Sequence, residues 1–581
     1  MPAPVNPDAA ALPPPMRFLA ARADGFTLSR WLFLRLIGLC YLIAFVSLWT
    51  QLDGLIGERG IIPAGDWLRA VAQQVGIERW WKAPTLCWLN FSDGFRHLLC
   101  AAGTVCSLLV IAGVATRLAL VLLWAFYLSL SSVSGLFLGY QWDTLLLEAG
   151  FLAILFAPAN WLPRSFPRWG ETPSSRVGVA ETRLDGVSPH RAPSQLALWL
   201  TWWLLFRLMF MAGAVKLLSN DDAWWDLSAL TIHYETQCIP ARLGWWAHQL
   251  PGWVHTISCA IMFLVELGAP FLIVCGRLCR RIAALSFIGL MLLIALTGNY
   301  CFFNLLTVAL SVTLLDDAAL KRLMPGRVKA ALGLASESAA PSSNSPTPGP
   351  SEEGSGQVAG GRLNADVQFP SLGGARGGFF STLAWLRIAA LLTVTIFILW
   401  VSGVQTFARL FSVGGIPGWI AAPLNWAGPF RTINSYGLFA VMTKTRPEII
   451  VEGSNDGQTW LAYEFKWKAG DLKRAPGYVA PHQPRLDWQM WFAALQDVRG
   501  NPWFVNFLGR LLQGEPRVLA LMETNPFPEK PPRYIRAVLY EYRFTNRATR
   551  AQTGEWWRRE LKGLYCPALT FNTAGALETA R

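Results

Sequence analysis

Charged residues are scarce in this chain. Only 15% of its 581 residues are Asp, Glu, Lys or Arg, where ordinary soluble proteins carry about 25%. With 53% hydrophobic residues and a mean hydropathy of +0.33, that deficit excludes general disorder and points away from a wholly water-soluble protein. Met1–Pro15 lacks the basic-then-apolar order of a cleaved signal peptide and belongs to an expected disordered tail over residues 1–30. Cysteine is rare outside the apolar runs. Seven of the ten (Cys40, Cys100, Cys106, Cys259, Cys275, Cys279 and Cys301) lie in or beside such runs, where cysteine behaves as a small hydrophobe. Cys275 and Cys279 have no His or second cysteine pair to complete a zinc pattern, so neither a metal nor a cofactor is expected. The C-terminal part holds one cysteine, Cys566, which excludes a disulfide scaffold. Cys87 and Cys238 fall in loops on the same predicted side, which leaves a disulfide between them open.

The apolar residues cluster in runs of the length a helix needs to cross about 30 Å of hydrocarbon. Spans are predicted at Trp31–Trp49, His97–Ala115, Leu118–Leu138, a short one at Asp143–Pro158, Leu196–Leu218 and Val254–Cys275. Ile282–Leu315 is long enough for two tightly turned helices with a break near Gly298, Asn299 and Tyr300. The expected fold is thus an α-helical polytopic membrane domain of eight or nine spans, followed by a mostly β soluble domain with helical insertions. The membrane domain covers residues 31–329, with aromatic loops at Thr50–Arg96 and Ser219–Trp253. A Ser/Pro/Gly-rich stretch, 330–378, cannot bury enough apolar area to offset its entropy and reads as a flexible linker. A last membrane helix occupies 379–411, and the soluble domain 425–577. There, Asn455-Asp456-Gly457 between two strand-like runs is a hairpin signal. Tyr534–Thr545 alternates like a strand, and Trp488–Asp497 and Asn501–Gln513 have helical periodicity.

The net charge of +13 sits largely in short loops, where Lys and Arg set topology and meet anionic lipid. No nucleic-acid motif accompanies it. With nine spans, one side collects the N-terminus, Arg117, the Arg164–Arg191 loop, Arg277, Arg280, Arg281 and the Lys321–Lys329 cluster. That side is cytoplasmic by the positive-inside rule, which places the C-terminal domain across the membrane. A single helix over Ile282–Leu315 would reverse this.

Four ionisable residues fall inside spans: Glu148, Arg207, Lys216 and Glu266. Such groups are costly in lipid and face partners or cavities. Gln141 and Glu148, seven apart, share a helix face, with Asp143 nearby. Matched depth suggests that Arg207 pairs with Glu266 and that Glu148 meets Lys216 or its neighbours; otherwise Lys216 snorkels to water. Just outside the membrane lie Asp221, Asp222, Trp224, Trp225 and His233. The aspartates and tryptophans read as an interfacial aromatic belt with capping aspartates, and Asp221 and Asp222 alternatively as a weak cation site; His233 is a further extracytoplasmic candidate.

These stretches carry a family likeness. QWDTLLLEAGF at Gln141–Phe151, FRLMFMAGAVK at Phe206–Lys216 and HYETQCIP at His233–Pro240 resemble the lipase maturation factor family. So do INSYGLF at Ile433–Phe439, VEGSNDG at Val451–Gly457, PHQPRLD at Pro481–Asp487, NPFPEKPP at Asn525–Pro532 and the run Tyr534–Tyr542. The resemblance extends from about Trp31 to Pro567. It implies a membrane protein whose soluble domain faces the ER lumen in animals and helps secreted lipases fold and assemble as homodimers. The composition and linker of this chain suggest a bacterial inner membrane instead, or the ER membrane in a eukaryote. More distantly, Ala212, Gly213 and Lys216 resemble the Ala-Gly-x-x-Lys pattern of vitamin K-dependent carboxylases, where the lysine is a base.

Two functions compete. A maturation factor would bind membrane lipids and a secreted lipase or other exported client, through exposed apolar surface such as Trp460, Trp467, Trp488 and Trp491, unless these rings form the domain's core. An intramembrane enzyme would use Lys216 and Glu148. A transporter would need paired broken helices or inverted halves, and neither is visible.

Overall fold

The computed structural model describes residues 23–158, 193–327 and 374–580. The N-terminal tail up to residue 22, the Arg164–Arg191 loop and the linker as far as residue 373 lie outside the described residues. The chain divides into a large unit (1–163, 187–320 and 397–581) and a small one (164–186 and 321–396). Within the small unit, the described residues include the first part of the last long helix.

The membrane helices are α1 (Thr27–Trp49), α2 (Asp93–Ala112), α3 (Thr116–Ser134), α4 (Gln141–Phe156), α5 (Gln195–Leu218), α6 (Gly252–Phe263), α7 (Arg277–Thr297), α8 (Phe303–Val312) and α9 (Gly374–Leu410). Helices satisfy their own backbone groups, which lipid requires. Among the described residues, seven are long and apolar enough to cross a bilayer, α6 when counted with its continuation to Val274. The other two, α4 with 16 residues and α8 with 10, are shorter. The α7–α8 break falls at Gly298–Phe302, as the Gly-Asn-Tyr signal suggested.

Helix ends are closed by distant residues. The first backbone N–H groups of α1 donate to the Asp317 carboxylate, Leu28 at 2.9 Å and Thr27 at 3.1 Å. A carboxylate there satisfies orphan donors and complements the helix dipole. Beyond Phe263, α6 widens into a π turn, Leu264–Gly268, and then tightens into a 3-10 segment, Ala269–Val274. This π turn carries Glu266. Gly213 of α5 lets it approach closely, since a Cβ there would stand 2.8 Å from the Leu267 side chain.

After α9 the chain does not pass straight into the soluble domain. The helix Gly418–Ala427 lies back along α9, with Trp419 against Trp400 (6.3 Å between centroids) and Trp426 against Phe397 (5.8 Å). Phe397 is thirteen residues before Leu410, about 20 Å from the helix end. The segment that follows makes its contacts among α3, α4 and α5. Residues 425–442, expected to open the soluble domain, therefore belong with the membrane helices.

The soluble domain is one antiparallel sheet in the order β3-β2-β1-β4-β5-β6. Its strands are β1 (Pro447–Ser454), β2 (Leu461–Phe465), β3 (Met522–Thr524), β4 (Tyr534–Phe544), β5 (Trp557–Phe571) and β6 (Leu577–Thr579). At the β1–β2 hairpin, Asp456 accepts from the N–H of Gln458 (2.8 Å) and Thr459 (2.7 Å). Gly457 supplies the left-handed residue, φ +75°. Helix α10 (Arg485–Ala494) packs on β1 and α11 (Pro502–Leu512) on β4. Phe507 meets Phe465, and Phe504 meets Tyr565, in the core between them.

Replacing Asp317 with alanine removes the carboxylate that closes α1. The expected loss is about 1–2 kcal/mol, read as lowered thermal stability of the detergent-solubilised protein. The same change at Asp316, in a partly exposed pair with Arg281, should cost less.

Candidate functional site

Glu148 lies on α4 and Arg207 on α5, with side chains only 1% and 2% exposed. Glu148 Oε1 accepts a hydrogen bond from Arg207 Nη2. Its other oxygen accepts three more, from Tyr436 OH at 2.6 Å, Asn434 N at 2.9 Å and Asn434 Nδ2 at 3.1 Å. Arg207 Nη1 donates to the Asn434 carbonyl at 2.8 Å. Gln141, one helix face with Glu148, accepts from Gly437 N at 3.2 Å. A Cβ at Gly437, where φ is +148°, would stand 2.8 Å from Val215. Arg431 donates to Ser131 and to the Leu138 carbonyl. Because Arg207 is eleven residues from Leu218, about 16 Å inside its helix, Asn434 and Tyr436 reach the middle of the membrane.

The second pair is Lys216 with Glu266, 2.5 Å apart and nearly buried. The Trp224 ring lies 5.2 Å from the ammonium. The matched-depth expectation of Arg207 with Glu266 and Glu148 with Lys216 is therefore reversed. Arg207 and Lys216 are nine residues apart, half a turn out of phase at about 100° per residue, so α5 turns the arginine to α4 and the lysine to α6. The depth of Glu148 follows from its neighbour on α4, Asp143, five residues earlier. Asp143 is not at a free surface but fully buried beneath the soluble domain, so Glu148 sits deep inside the protein.

Asp143 anchors that domain. Arg485 at the start of α10 binds it with two hydrogen bonds, 2.9 and 3.0 Å, and Tyr127 donates to it at 2.5 Å. Neither side chain of the ion pair is exposed. Gln51 accepts from Arg485 N at 2.9 Å, and Ser47 Oγ accepts from Gln483 N at 2.9 Å. Asn299 accepts from Val479 N (2.9 Å) and donates to the Gly477 carbonyl (2.8 Å). Arg446, just before β1, donates to the carbonyls of Glu235 (2.8 Å) and Gln237 (2.5 Å) in and after the short helix Ala229–Thr236. The strings QWDTLLLEAGF, FRLMFMAGAVK, HYETQCIP, INSYGLF and PHQPRLD thus meet in space around one junction.

The remaining candidates separate. Asp221 accepts from Met442 N (2.7 Å) and Ala223 N (3.1 Å). Burial opposes its ionisation, but these bonds and Lys444 outweigh it and hold the carboxyl below the usual range. It is a tether for the returning chain, while Asp222 is exposed. Trp224 is buried and Trp225 exposed. His233 bonds Tyr300 OH at 3.0 Å; burial and the Lys216 ammonium push its pKa down to about 4. Trp488 and Trp491 are 3% and 6% exposed, which corrects their assignment to client contact. Trp488 packs on Trp142, and Trp491 donates to the Thr236 carbonyl, so both belong to the junction. Trp460 lies under Arg536, 4.0 Å away, and Trp467 is 36% exposed. Cys87 and Cys238 are free thiols, so the disulfide left open does not form. Lys216 and Glu148 are committed to different partners on opposite sides of α5. Sequence reasoning missed Arg431, Asn434, Tyr436, Arg446 and Arg485; a signal for three of these was their place inside INSYGLF and PHQPRLD.

A family model described as the lipase maturation factor transmembrane domain matches residues 28–322, and one described as the lipase maturation factor C-terminal domain matches 432–567. The chain is 37% identical to lipase maturation factor 2 of Homo sapiens, covering 94% of this chain and 83% of that protein. It is 38% identical to lipase maturation factor 2 of Gallus gallus (91% and 80%) and 32% identical to lipase maturation factor 1 of Mus musculus (94% and 87%). No solved structure matches it.

Two outcomes follow from the geometry. Removing one partner of either intramembrane pair should destabilise the protein by about 3–5 kcal/mol. Double-mutant cycles on thermal unfolding should show strong coupling between positions 148 and 207 and between 216 and 266, and none between 207 and 266. The second concerns acid. His482, beside Ser47, is pushed down to about 4 by burial, Arg485 and Lys466, as His233 is by its surroundings. Unfolded histidine takes up its proton near 6.5, so the unfolded chain binds more protons between these values. The contribution to stability is fully present above about pH 6.5 and is lost as pH falls toward 4. Melting curves across this range should show it, and His482→Gln should flatten the acid limb.

Proposed function

This chain belongs to the lipase maturation factor family, and we propose that it is a membrane-anchored maturation factor that helps secreted lipases, or other exported proteins, reach their folded and assembled state. The observation that carries this is the continuous similarity to lipase maturation factors through both the membrane half and the sheet domain. In support, the strings of the resemblance build the junction that holds the two halves together.

Sidedness rests on charge and docking. The sheet domain meets the membrane helices at the end of α1 (Ser47, Gln51), the start of α4 (Asp143) and the α7–α8 turn (Asn299). The arginines Arg30, Arg117, Arg277, Arg280 and Arg281 lie at the opposite helix ends. The positive-inside rule makes those ends cytoplasmic, so the sheet domain faces a bacterial periplasm or an ER lumen. This inference does not depend on whether the short α8 crosses completely.

The client surface is the open margin of the sheet. Strand β6 pairs with β5 only over Leu569–Phe571. Earlier in β5, Leu561 and Leu564 are 61% and 63% exposed, and Arg558, Arg559 and Lys562 flank them. An unpaired strand edge is a template for another chain, and apolar side chains beside it suit a partly folded client. Trp467 and Trp460 are further contact positions on the same domain.

Co-expression with a secreted lipase tests the function. The expected outcome is higher lipase specific activity and client co-purification, both falling at least about tenfold with Leu561→Asp and Leu564→Asp together. The paired replacement of Lys216→Met with Glu266→Leu, which removes both buried charges at once, should leave them intact. Lipase specific activity unchanged by the intact protein would overturn the reading. A C-terminal reporter that fluoresces only in the cytoplasm should stay dark.

A further inference from the structure

Two segments outside the long helices carry large apolar side chains with little protein cover. In the first, Ile77 is 78% exposed, Leu89 69%, Trp80 and Trp81 45% each and Phe91 43%. In the second, around the helix Gly418–Ala427, Trp419 is 70% exposed, Phe411 66% and Trp426 61%. In water such a density of bare aromatic and aliphatic surface would be a liability.

Their depth says what covers them. Thr85 Oγ donates to the Ser129 carbonyl at 3.0 Å, Leu86 N donates to Ser129 Oγ at 3.0 Å, and Ser132 Oγ donates to the Pro84 carbonyl at 2.9 Å. Ser129 is five residues before the end of α3, and the apolar span continues to Leu138. Thr85 and Leu86 therefore run beside the helix about 7 Å below its end, and Pro84 about 3 Å below it. Trp426, held against Phe397, is deeper within its own helix pair. The two segments are also neighbours, because Arg79–Lys82 packs on Gly428–Phe430. Beyond Phe91 the bare surface continues along α2 through Leu98 and Val105, 58% and 56% exposed, which is lipid-facing surface of a spanning helix. The charged groups in the first segment are accounted for: Lys82 pairs with Glu78, and Arg79 covers Trp88 at 5.0 Å.

We propose that residues 77–91 and the helix Gly418–Ala427 form one platform immersed in the leaflet on the sheet domain's side, with the acyl chains of the bilayer as its occupant. Continuity with the lipid-facing side of α2 and the depth of the anchoring hydrogen bonds distinguish this from a client-binding surface. Aromatic side chains suit that boundary zone, and the amphipathic helix Ala64–Val75 leads into it. The platform extends the protein sideways in the leaflet beneath the sheet domain. The inference is independent of the lipase function.

The test uses the full chain in nanodiscs of phosphatidylcholine and phosphatidylglycerol, with Cys275→Ser and Cys279→Ser as background. Single cysteines are introduced as Trp81→Cys, Leu89→Cys and Trp419→Cys, with Leu564→Cys on the sheet domain as an aqueous control. A membrane-impermeant maleimide should label the first three at least about tenfold more slowly than the control. A small fluorophore at these positions should be quenched by doxyl-labelled lipids. Labelling as fast as the control overturns the proposal by placing the surface in water. Slow labelling without lipid quenching also overturns it, by placing the surface under protein. If Trp81→Cys alters the melting curve, Leu89→Cys, which leaves the tryptophans in place, carries the decision.

Discussion

A charge cannot stay in hydrocarbon without a partner, and the organisation of this protein follows from how it meets that constraint. Glu148 and Arg207 neutralise each other near mid-membrane, but a carboxylate has two oxygens and a guanidinium several donors. The unmet hydrogen-bonding capacity is filled by Asn434 and Tyr436 from a segment that follows the last membrane helix. The chain must therefore return into the membrane before building its sheet. Lys216 and Glu266 solve the same problem on the other side of α5, where a π turn brings the carboxylate to the lysine and a glycine lets the helices close.

The sheet domain is seated by the same means. Arg485 is fully buried against Asp143, and Arg446 gathers carbonyls at the end of a loop helix. Buried ion pairs contribute little net stability against apolar alternatives, yet losing one partner is costly. Their value here is positional: they allow one seating of the sheet domain and penalise others. An anchored domain of this kind presents its open margin at a fixed orientation to the membrane helices.

Much of this was legible in the sequence. Run length gave the helices, the Gly298–Tyr300 break separated α7 from α8, and Asn455-Asp456-Gly457 marked the hairpin. Strand β5 was not visible, because WRRELKGL carries the charge spacing of a solvated helix and shows no alternation; its pairing with β4 decides its state. The intramembrane polar residues stood out one by one. Their partners did not, since depth along a span says nothing about azimuth, and azimuth around α5 sends Arg207 and Lys216 opposite ways. Trp488 and Trp491 looked like contact residues for want of any sign that a whole domain closes over them. The family strings were the better guide to the junction, because they marked residues such as Asn434, Tyr436 and Arg485 that no periodicity distinguishes.

The returning segment has a consequence for biosynthesis. Asn434 is 286 residues beyond Glu148 and 227 beyond Arg207. At roughly 5–20 residues per second, the ribosome needs on the order of 10–45 s after making the arginine before the loop that completes its coordination exists. Throughout that interval, α4 and α5 hold an incompletely solvated charge pair, so the nascent bundle must be sheltered by the insertion machinery or stay loosely assembled. The last stretch translated before the sheet is thus the one that locks helices made long before it.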